Sequence, residues 1–290
     1  MGLKELIEIS KPRIVLLLVI IAVTSMYAAI KMNGYDLTYL NVLHIIIAGT
    51  FASAGSSALN HYYDRDIDPM MNRTSNRPIP SGRINKKHVL LYGIIISIFA
   101  IIYSVIFINY ISTFFILLGI IFYVVIYTMW LKRNNPSNIV IGGFAGSAAS
   151  MAGWSAATNN IDITGFLISM LVFIWTPSHF WCLAMKIKDD YESAKIPMLP
   201  VIIGMKKTSQ YIFINTIILI PYSIMLYTFG LGLLYLVVAI VSGGSMLLYH
   251  HKLMKNPTVK VAWKAYKITA PYLMIIFISI ALDALFNFKI

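Results

Sequence analysis

The sequence reads Asn60-His61-Tyr62-Tyr63-Asp64-Arg65-Asp66-Ile67-Asp68 at the end of a long apolar stretch. Three aspartates stand within this short segment, although only 12% of the whole chain is charged. Four arginines, at positions 65, 73, 77 and 83, lie within or close behind it. Acidic side chains at a membrane surface, backed by arginines, are suited to hold a divalent cation and the phosphates that it bridges.

The composition around this cluster is that of a membrane protein. Apolar residues make up 59% of the chain, and the charged fraction is well below the roughly 25% of a soluble domain. Nine apolar stretches are long enough to cross a bilayer. Their expected bounds are 15–32, 42–62, 89–108, 111–130, 138–157, 163–185, 210–229, 231–249 and 269–287. We therefore predict an all-α polytopic membrane protein in which residues 1–290 form a single domain.

The distribution of basic residues predicts how these helices are oriented. If the N-terminus is cytoplasmic, all of the 23 Lys and Arg residues except Lys31 and Lys289 fall on inner segments. The positive-inside rule describes this kind of one-sided distribution. Topology thus explains the net charge of +12, and no nucleic-acid partner is expected. We predict a multi-pass protein of the cell membrane with its active site on the cytoplasmic side.

Both acidic clusters of the sequence lie in long inner loops, at 63–88 and 186–209. A carrier for metal ions or heme would place its functional polar groups near the middle of the membrane. Polar groups gathered at one face instead favour an enzyme that works at the membrane surface on a lipid-soluble substrate. The carrier remains the alternative from a different class of protein.

The first cluster has a spacing that suits metal binding. Asn60, Asp64 and Asp68 are four residues apart, which on an α-helix places them on one stripe with a rise of about 6 Å per step. Three oxygen-bearing side chains on one face would form a platform for a hard cation such as Mg²⁺. Asp66 would fall on another face. The alternative is a polar helix end whose carboxylates pair with Arg65 and its neighbours.

The second cluster, Lys186-Ile187-Lys188-Asp189-Asp190-Tyr191-Glu192, ends the sixth apolar stretch. Asp189 and Asp190 could face the first cluster across a cavity, with Mg²⁺ ions between them clamping a diphosphate. The alternative is a local salt-bridged helix end. Basic residues near both clusters are candidate diphosphate ligands, although each could equally set topology or contact lipid headgroups. They are Arg73, Arg77, Lys132, Arg133, Lys186 and Lys188.

The sixth apolar stretch also carries Trp175-Thr176-Pro177-Ser178-His179-Phe180-Trp181. His179 would lie about 15 Å deeper than Asp189 if the helix continued that far. A histidine there could ligate an iron, donate to a carboxylate or act as a base, and a packing role is the alternative. Trp175 and its aromatic neighbours could line a flat or polyprenyl ligand, or could be ordinary interface tryptophans.

At these residues the chain resembles the UbiA family of intramembrane prenyltransferases. Asn60, Asp64 and Asp68 match the family's first motif, Asn-x-x-x-Asp-x-x-x-Asp. Further segments are similar to the branch of the family that acts on heme. They include Lys11-Pro12-Arg13, Arg77-Pro78-Ile79-Pro80-Ser81-Gly82-Arg83, Leu131-Lys132-Arg133, His179-Phe180-Trp181, Asp189-Asp190-Tyr191 and Ile196-Pro197-Met198-Leu199-Pro200-Val201.

The chain departs from the family pattern at three positions. Ile187 stands where the family's second motif has a further aspartate, so metal ligation there would rest on Asp189 and Asp190. Ser178 replaces the proline that is usual in the heme branch, and Lys195 replaces a glycine. None of these departures removes a proposed ligand.

The resemblance implies nine helices around a central cavity and an enzyme that needs Mg²⁺. Asn60, Asp64, Asp68, Asp189 and Asp190 would be catalytic, and the four aspartates would bind farnesyl diphosphate through the metal. The farnesyl group would pass to a vinyl group of heme B with addition of water, giving heme O. His179 and Trp175 would contact the acceptor.

The resemblance also implies partners and leaves one rival activity open. Farnesyl diphosphate and heme B would be the substrates, the lipid bilayer would surround the protein, and terminal-oxidase assembly proteins are candidate partners. The rival is a prenyltransferase of the same family that acts on an aromatic or lipid acceptor. The aspartate motifs cannot separate the two activities because only the acceptor differs, but the region around His179 favours heme.

Overall fold

The computed structural model describes residues 2–36 and 38–286, and within these ranges all regular structure is helical. Nine of the described helical spans are long and apolar enough to cross a membrane. They are Pro12–Asn33, Tyr39–Asp66, Lys86–Phe107, Tyr110–Asn134, Asn138–Thr158, Ile163–Lys186, Leu199–Phe229, Leu233–Lys255 and Val259–Phe286. The predicted all-α polytopic class is therefore confirmed. Lys289, which we assigned to the outer side, lies outside the described residues.

We number the α-helices along the chain. They are α1 (Leu3–Ser10), α2 (Pro12–Asn33), α3 (Tyr39–Tyr63), α4 (Lys86–Phe107), α5 (Tyr110–Ile120), α6 (Lys132–Asn134), α7 (Asn138–Gly142), α8 (Phe144–Thr158), α9 (Ile163–Lys186), α10 (Lys188–Ser193), α11 (Leu199–Met225), α12 (Leu233–Lys255) and α13 (Val259–Phe286). A π-helix, Ile121–Leu131, connects α5 to α6 within the fourth span.

Two spans begin about ten residues earlier than their hydropathy predicts. The seventh begins at Leu199 instead of residue 210, and the ninth begins at Val259 instead of residue 269. The additional residues at the start of each span contain lysines, Lys206 and Lys207 in the seventh and Lys260, Lys264 and Lys267 in the ninth, which lower the local hydropathy although the backbone is already helical. Gly204 interrupts the start of α11 because its φ of 77° lies in the left-handed region, which glycine adopts without steric cost.

The spans pack in two groups, which also contact each other. Helices α2, α3, α4, α5 and α8 contact one another, and α9, α11, α12 and α13 form the second group. Contacts of α2 with α13 and of α8 with α9 join the groups. Gly153 allows α8 to touch α2, because a Cβ atom there would lie 1.9 Å from the carbonyl oxygen of Ala22. Small residues at helix contacts are how membrane helices approach closely.

The regular α-helix of α3 ends at Tyr63, before the acidic residues. The chain continues as two 3₁₀ turns, Asp64–Asp66 and Asp68–Met70. Pro69 cannot donate a backbone hydrogen bond, so a regular helix through this position is disfavoured. The expected continuous α-helical stripe is therefore wrong in its geometry. Asp64 and Asp68 are nevertheless both buried, whereas Asp66 is exposed.

Candidate active site

The core of the site is a buried network around Asp64. The carboxylate of Asp64 accepts from Nδ2 of Asn60 at 2.9 Å and from Nζ of Lys132. Nδ2 of Asn60 also donates to Oγ1 of Thr128 at 3.0 Å, and its Oδ1 accepts from Nζ of Lys11 at 2.6 Å. The remaining oxygen of Asp64, Oδ1, is buried and has no hydrogen-bond partner among the described residues. A buried acceptor left open in this way is a candidate ligand-binding atom.

Asp68 completes the first cluster and is paired with an arginine. Nη1 of Arg77 donates to both carboxylate oxygens, at 2.8 and 2.9 Å, and Asp68 is 0% exposed. Burial raises the pKa of Asp68, while the adjacent positive charge and hydrogen bond of Arg77 act in the opposite direction. The hydroxyl of Thr74 donates to the backbone oxygen of Asp68 at 2.9 Å. The loop after α3 is thereby held against its own acidic residues.

The π-helix brings a second wall of the site against α3. Its wider turn lets the hydroxyl of Thr128 donate to the carbonyl of Tyr123 at 2.8 Å, five residues earlier. The hydroxyl of Tyr123 contacts Nζ of Lys11 at 3.2 Å, and the rings of Tyr123 and Tyr127 stack 5.9 Å apart. π-Helical segments occur frequently at functional sites. Here the segment places Thr128 and Lys132 beside Asn60 and Asp64.

Three residues of this network were missed by the sequence reasoning, namely Lys11, Tyr123 and Thr128. Lys11 belongs to a segment that matches the family, but nothing in that segment indicates what the lysine contacts. It adopts a left-handed conformation with φ of 51° between α1 and α2, which directs it inward. Burial and the nearby charge of Arg77 lower the pKa of Lys11 well below its usual range.

The second acidic cluster joins the loop after α3 to the segment after α9. Asp190 accepts from the backbone and side-chain nitrogens of Asn72 at 3.2 and 3.1 Å, and from the backbone nitrogen of Arg73 at 3.2 Å. The hydroxyl of Ser193 donates to the carbonyl of Met70 at 2.9 Å. The structure thus brings the two loops into contact. Asp189 is exposed at their surface.

The donor set fits a magnesium ion that is bound together with its substrate. No group of three His, Cys, Asp or Glu side chains that could hold a metal occurs in the part of the chain that the structure describes. Mg²⁺, however, is usually held by one or two carboxylates, water and substrate phosphates. The open oxygen of Asp64 is a hard ligand of this kind, and Asp68 would share its carboxylate oxygens between Arg77 and the metal.

The six predicted diphosphate ligands occupy different environments. Lys132 and Arg77 lie in the buried cluster and pair with Asp64 and Asp68. Arg73 is exposed, and its backbone nitrogen donates to Asp190 at 3.2 Å, which places it beside the second acidic cluster. Lys132, Arg77 and Arg73 are therefore the better placed of the six.

The other three predicted ligands make separate contacts. Arg133 pairs with the exposed Asp66 at 2.7 Å, and both residues line a pocket of about 330 Å³. Lys188 pairs with Glu192 at 3.3 Å. Lys186 lies 6.0 Å from the ring centroid of Trp263. These contacts connect none of the three directly to Asp64 or Asp68.

His179 stands in a column of stacked aromatic rings between α9 and α13. Its ring lies 4.3 Å from Trp175 on one side and 4.6 Å from Tyr266 on the other. Both predicted acceptor-binding residues are anchored on Thr269: Nε1 of Trp175 donates to its carbonyl, and Nδ1 of His179 contacts its hydroxyl, each at 2.8 Å. Thr269 was also missed, because α13 carries no recognisable motif.

The fold and the acidic site together define a class of protein. Residues 15–280 match the model of the UbiA prenyltransferase family. The chain belongs to the UbiA prenyltransferase family, and the predicted enzyme class is thereby confirmed.

Comparison with curated relatives indicates which branch of the family the chain resembles. A protein of Cenarchaeum symbiosum named protoheme IX farnesyltransferase 1 is 63% identical over 292 residues, covering 99% of this chain and 98% of the relative. The protoheme IX farnesyltransferase of Metallosphaera sedula is 40% identical, covering 96% and 95% of the two chains. The heme branch was therefore the correct part of the family to expect.

Solved structures share the fold at low sequence identity. A digeranylgeranylglyceryl phosphate synthase superposes with a TM-score of 0.78 at 18% identity, covering 97% of this chain and 98% of that one. A UbiA homolog from Archaeoglobus fulgidus bound to GPP and Mg²⁺ superposes with a TM-score of 0.68 at 16% identity, covering 95% and 99%. These likenesses show that the fold is shared.

Proposed function

We propose that this protein transfers the farnesyl group of farnesyl diphosphate to a vinyl group of heme B, with addition of water, to give heme O. The observation that carries the proposal is the buried cluster of Asn60, Asp64 and Asp68, in which one carboxylate oxygen remains open. Relatives named protoheme IX farnesyltransferase over nearly the full chain support heme as the acceptor.

The basic residues of the cluster suit a diphosphate leaving group. Lys11, Arg77 and Lys132 surround two buried carboxylates, so the site keeps an excess of basic groups for an anion. As the bond between C1 of the farnesyl group and the diphosphate oxygen breaks, these residues would stabilise the charge that develops on the pyrophosphate. Arg77 would also offer its fork of donors to phosphate oxygens.

The metal would be held by Asp64 and Asp68, with Asp189 and Asp190 as the predicted second pair. Mg²⁺ would act as a Lewis acid that neutralises the departing pyrophosphate. The UbiA homolog from Archaeoglobus fulgidus was solved with GPP and Mg²⁺, which supports a divalent metal in this family fold.

The transfer is an electrophilic addition to the vinyl group, in which every bond that breaks is matched by one that forms. The bond from C1 of the farnesyl group to the diphosphate breaks, and a new bond forms from C1 to the terminal carbon of the vinyl group. Water then adds to the resulting cation on the carbon next to the porphyrin, and one proton is released. Apolar walls delay the reaction of the first cation with water, which is how such a site would protect it.

Several further predictions belong to this proposal. They are the cell-membrane location, the cytoplasmic side of the active site, the single domain over residues 1–290 and the terminal-oxidase assembly partners. The charge distribution of the inner segments supports the orientation. Family membership argues against the carrier alternative, because the family is one of transferases.

The test is an incubation of purified protein with heme B, farnesyl diphosphate and Mg²⁺, with products separated and weighed by mass spectrometry. We expect a heme whose mass has increased by one farnesyl group and one hydroxyl group. A parallel incubation replaces heme with 4-hydroxybenzoate as an aromatic acceptor. Prenylation of the phenolic acid with heme left unchanged would move the assignment to the aromatic branch.

A further inference from the structure

The hydrogen bonds of Thr269 determine which nitrogen of His179 carries its proton. Oγ1 of Thr269 donates to the carbonyl of Tyr266 at 2.8 Å, within α13. The same oxygen lies 2.8 Å from Nδ1 of His179. A threonine hydroxyl has one proton to give, so it must accept in the second contact and Nδ1 must donate. In a neutral imidazole the other nitrogen, Nε2, then carries an unprotonated lone pair.

Nε2 is the one polar position of His179 that the surrounding described residues leave free to contact a ligand. Trp175 and Tyr266 stack on the two faces of the ring, at 4.3 and 4.6 Å between centroids. Nδ1 is occupied by Thr269, and Nε2 has no hydrogen-bond partner in the ranges that the structure describes. A ligand of His179 must therefore approach the edge of the ring at Nε2.

His250 contacts a threonine hydroxyl through Nδ1 as His179 does, but its Nε2 has a partner within the protein. The hydroxyl of Thr216 donates to the carbonyl of Ile212 at 2.8 Å and also contacts Nδ1 of His250. Nε2 of His250 lies 3.7 Å from Sγ of Cys182, whose thiol can donate to it. His250 is thus fully satisfied by the protein. The open Nε2 of His179 is not a general consequence of a threonine beside a buried histidine.

We propose that Thr269 is a positioning residue that presents Nε2 of His179 as a lone-pair ligand to the iron of the heme acceptor. The inference rests on the proposed function. Neutral imidazole nitrogen is the form that binds metals, and a hydrogen bond from the other nitrogen fixes its tautomer and orientation. Stacking against Trp175 and Tyr266 also fixes the plane of the His179 ring, so the lone pair of Nε2 points in one direction.

The same geometry argues against the other roles considered for His179. Nε2 has no proton to donate to a heme propionate, and protonating it would place a charge on a ring that is only 8% exposed within a membrane span. The heme cannot stack on His179, because Trp175 and Tyr266 already cover both faces. Edge-on ligation of iron is the contact that remains.

The test compares ferric heme B with metal-free protoporphyrin IX, titrated into purified protein and followed by absorption spectra. We expect His179→Ala and Thr269→Val to change the Soret band and to weaken ferric heme binding by about 10- to 100-fold. Binding of the metal-free porphyrin should stay unchanged in both variants. Thr269→Ser, which keeps the hydroxyl, should restore the wild-type spectrum.

Thr216→Val is the matched control, because it removes the same contact from His250. It should leave the heme spectrum and affinity as in the wild type. Wild-type behaviour of Thr269→Val, or an equal loss of the metal-free porphyrin, would show that Thr269 acts through packing and would overturn the inference alone. A wild-type protein that neither binds heme nor converts it would instead overturn the proposed function.

Discussion

Nζ of Lys11 donates to Oδ1 of Asn60 at 2.6 Å and joins the junction of α1 and α2 to the C-terminal end of α3. The contact fixes the orientation of the Asn60 amide, because the lysine can only donate. Nδ2 of Asn60 is then the group that faces Asp64 and Thr128. A residue near the start of the chain thereby orients the first residue of the acidic motif.

Replacing Lys11 should therefore impair the enzyme. Lys11→Met leaves Oδ1 of Asn60 buried without a donor and releases the Asn60 amide from its orientation, so we expect kcat/KM for farnesyl diphosphate to fall by up to about 10²-fold. The measurement is initial rate against substrate concentration in detergent. Arg13→Met is the control, since Arg13 is exposed two residues away and should leave the rate unchanged. If Lys11→Met kept the wild-type rate, as Arg13→Met is expected to do, Lys11 would have no role in the site.

The acidic motif should respond to the loss of single charges. Asp64→Asn and Asp68→Asn each remove a hard oxygen ligand, and we expect activity to fall about 10²- to 10³-fold, equivalent to about 2.7–4 kcal/mol. Asp66→Asn is the matched control, because the side chain of Asp66 is 59% exposed and pairs with Arg133 at the surface. The fold of each variant is checked by gel filtration. Full activity of Asp64→Asn would refute its assignment as a ligand.

The acid side of the pH profile should depend on Arg77. Burial raises the pKa of Asp68 and Arg77 opposes this shift, so removing Arg77 should raise that pKa further. If ionised Asp68 is needed for metal binding, kcat/KM falls as the pH drops through this pKa. Arg77→Gln should therefore move the acid limb to higher pH.

The control for the pH experiment is Arg83→Gln. Arg83 lies in the same loop as Arg77, and its side chain pairs at the surface with Glu8 of α1 at 2.7 Å. Its removal should leave the acid limb of kcat/KM where it is in the wild type. An acid limb that stays in place in Arg77→Gln, or moves to lower pH, would contradict the coupling between Arg77 and Asp68.

Metal binding should depend on the diphosphate. Because the described residues contain no converging group of three metal-ligating side chains, the protein alone should bind Mg²⁺ weakly. Addition of a non-reactive thio analogue of farnesyl diphosphate should increase the affinity for Mg²⁺, measured by calorimetry. Chelation of the metal should abolish turnover, and added Mg²⁺ should restore it. Tight binding of Mg²⁺ without the analogue would contradict a shared site.

The orientation of the active site can be tested by cysteine labelling. In a Cys182→Ala background, Asn76→Cys in the inner loop should react only with a maleimide admitted to the cytoplasmic side. Tyr110→Cys, at the opposite end of the bundle and 79% exposed, should react from the outside. Labelling of position 76 from outside intact cells would reverse the topology.

The class of the fold and the first motif can be recognised from local sequence. Nine helical spans could be counted because the apolar interior of a bilayer requires about 20 apolar residues per crossing, and such stretches are visible locally. Asn60, Asp64 and Asp68 could be singled out because three polar residues at a spacing of four are rare beside an apolar helix. Pro69 is a local signal that the helix ends there, and the spacing of the three polar residues does not reveal it.

The hydrogen-bond partners of these residues depend on how the helices pack against one another. Lys11 is 49 residues from Asn60, Lys132 is 68 from Asp64, and Thr269 is 90 from His179. Hydrophobic patterns show which segments enter the membrane, but they do not show which polar side chains meet across packed helices. Those contacts depend on the rotation and depth of each helix, and both are set by the packing of neighbouring helices rather than by local sequence.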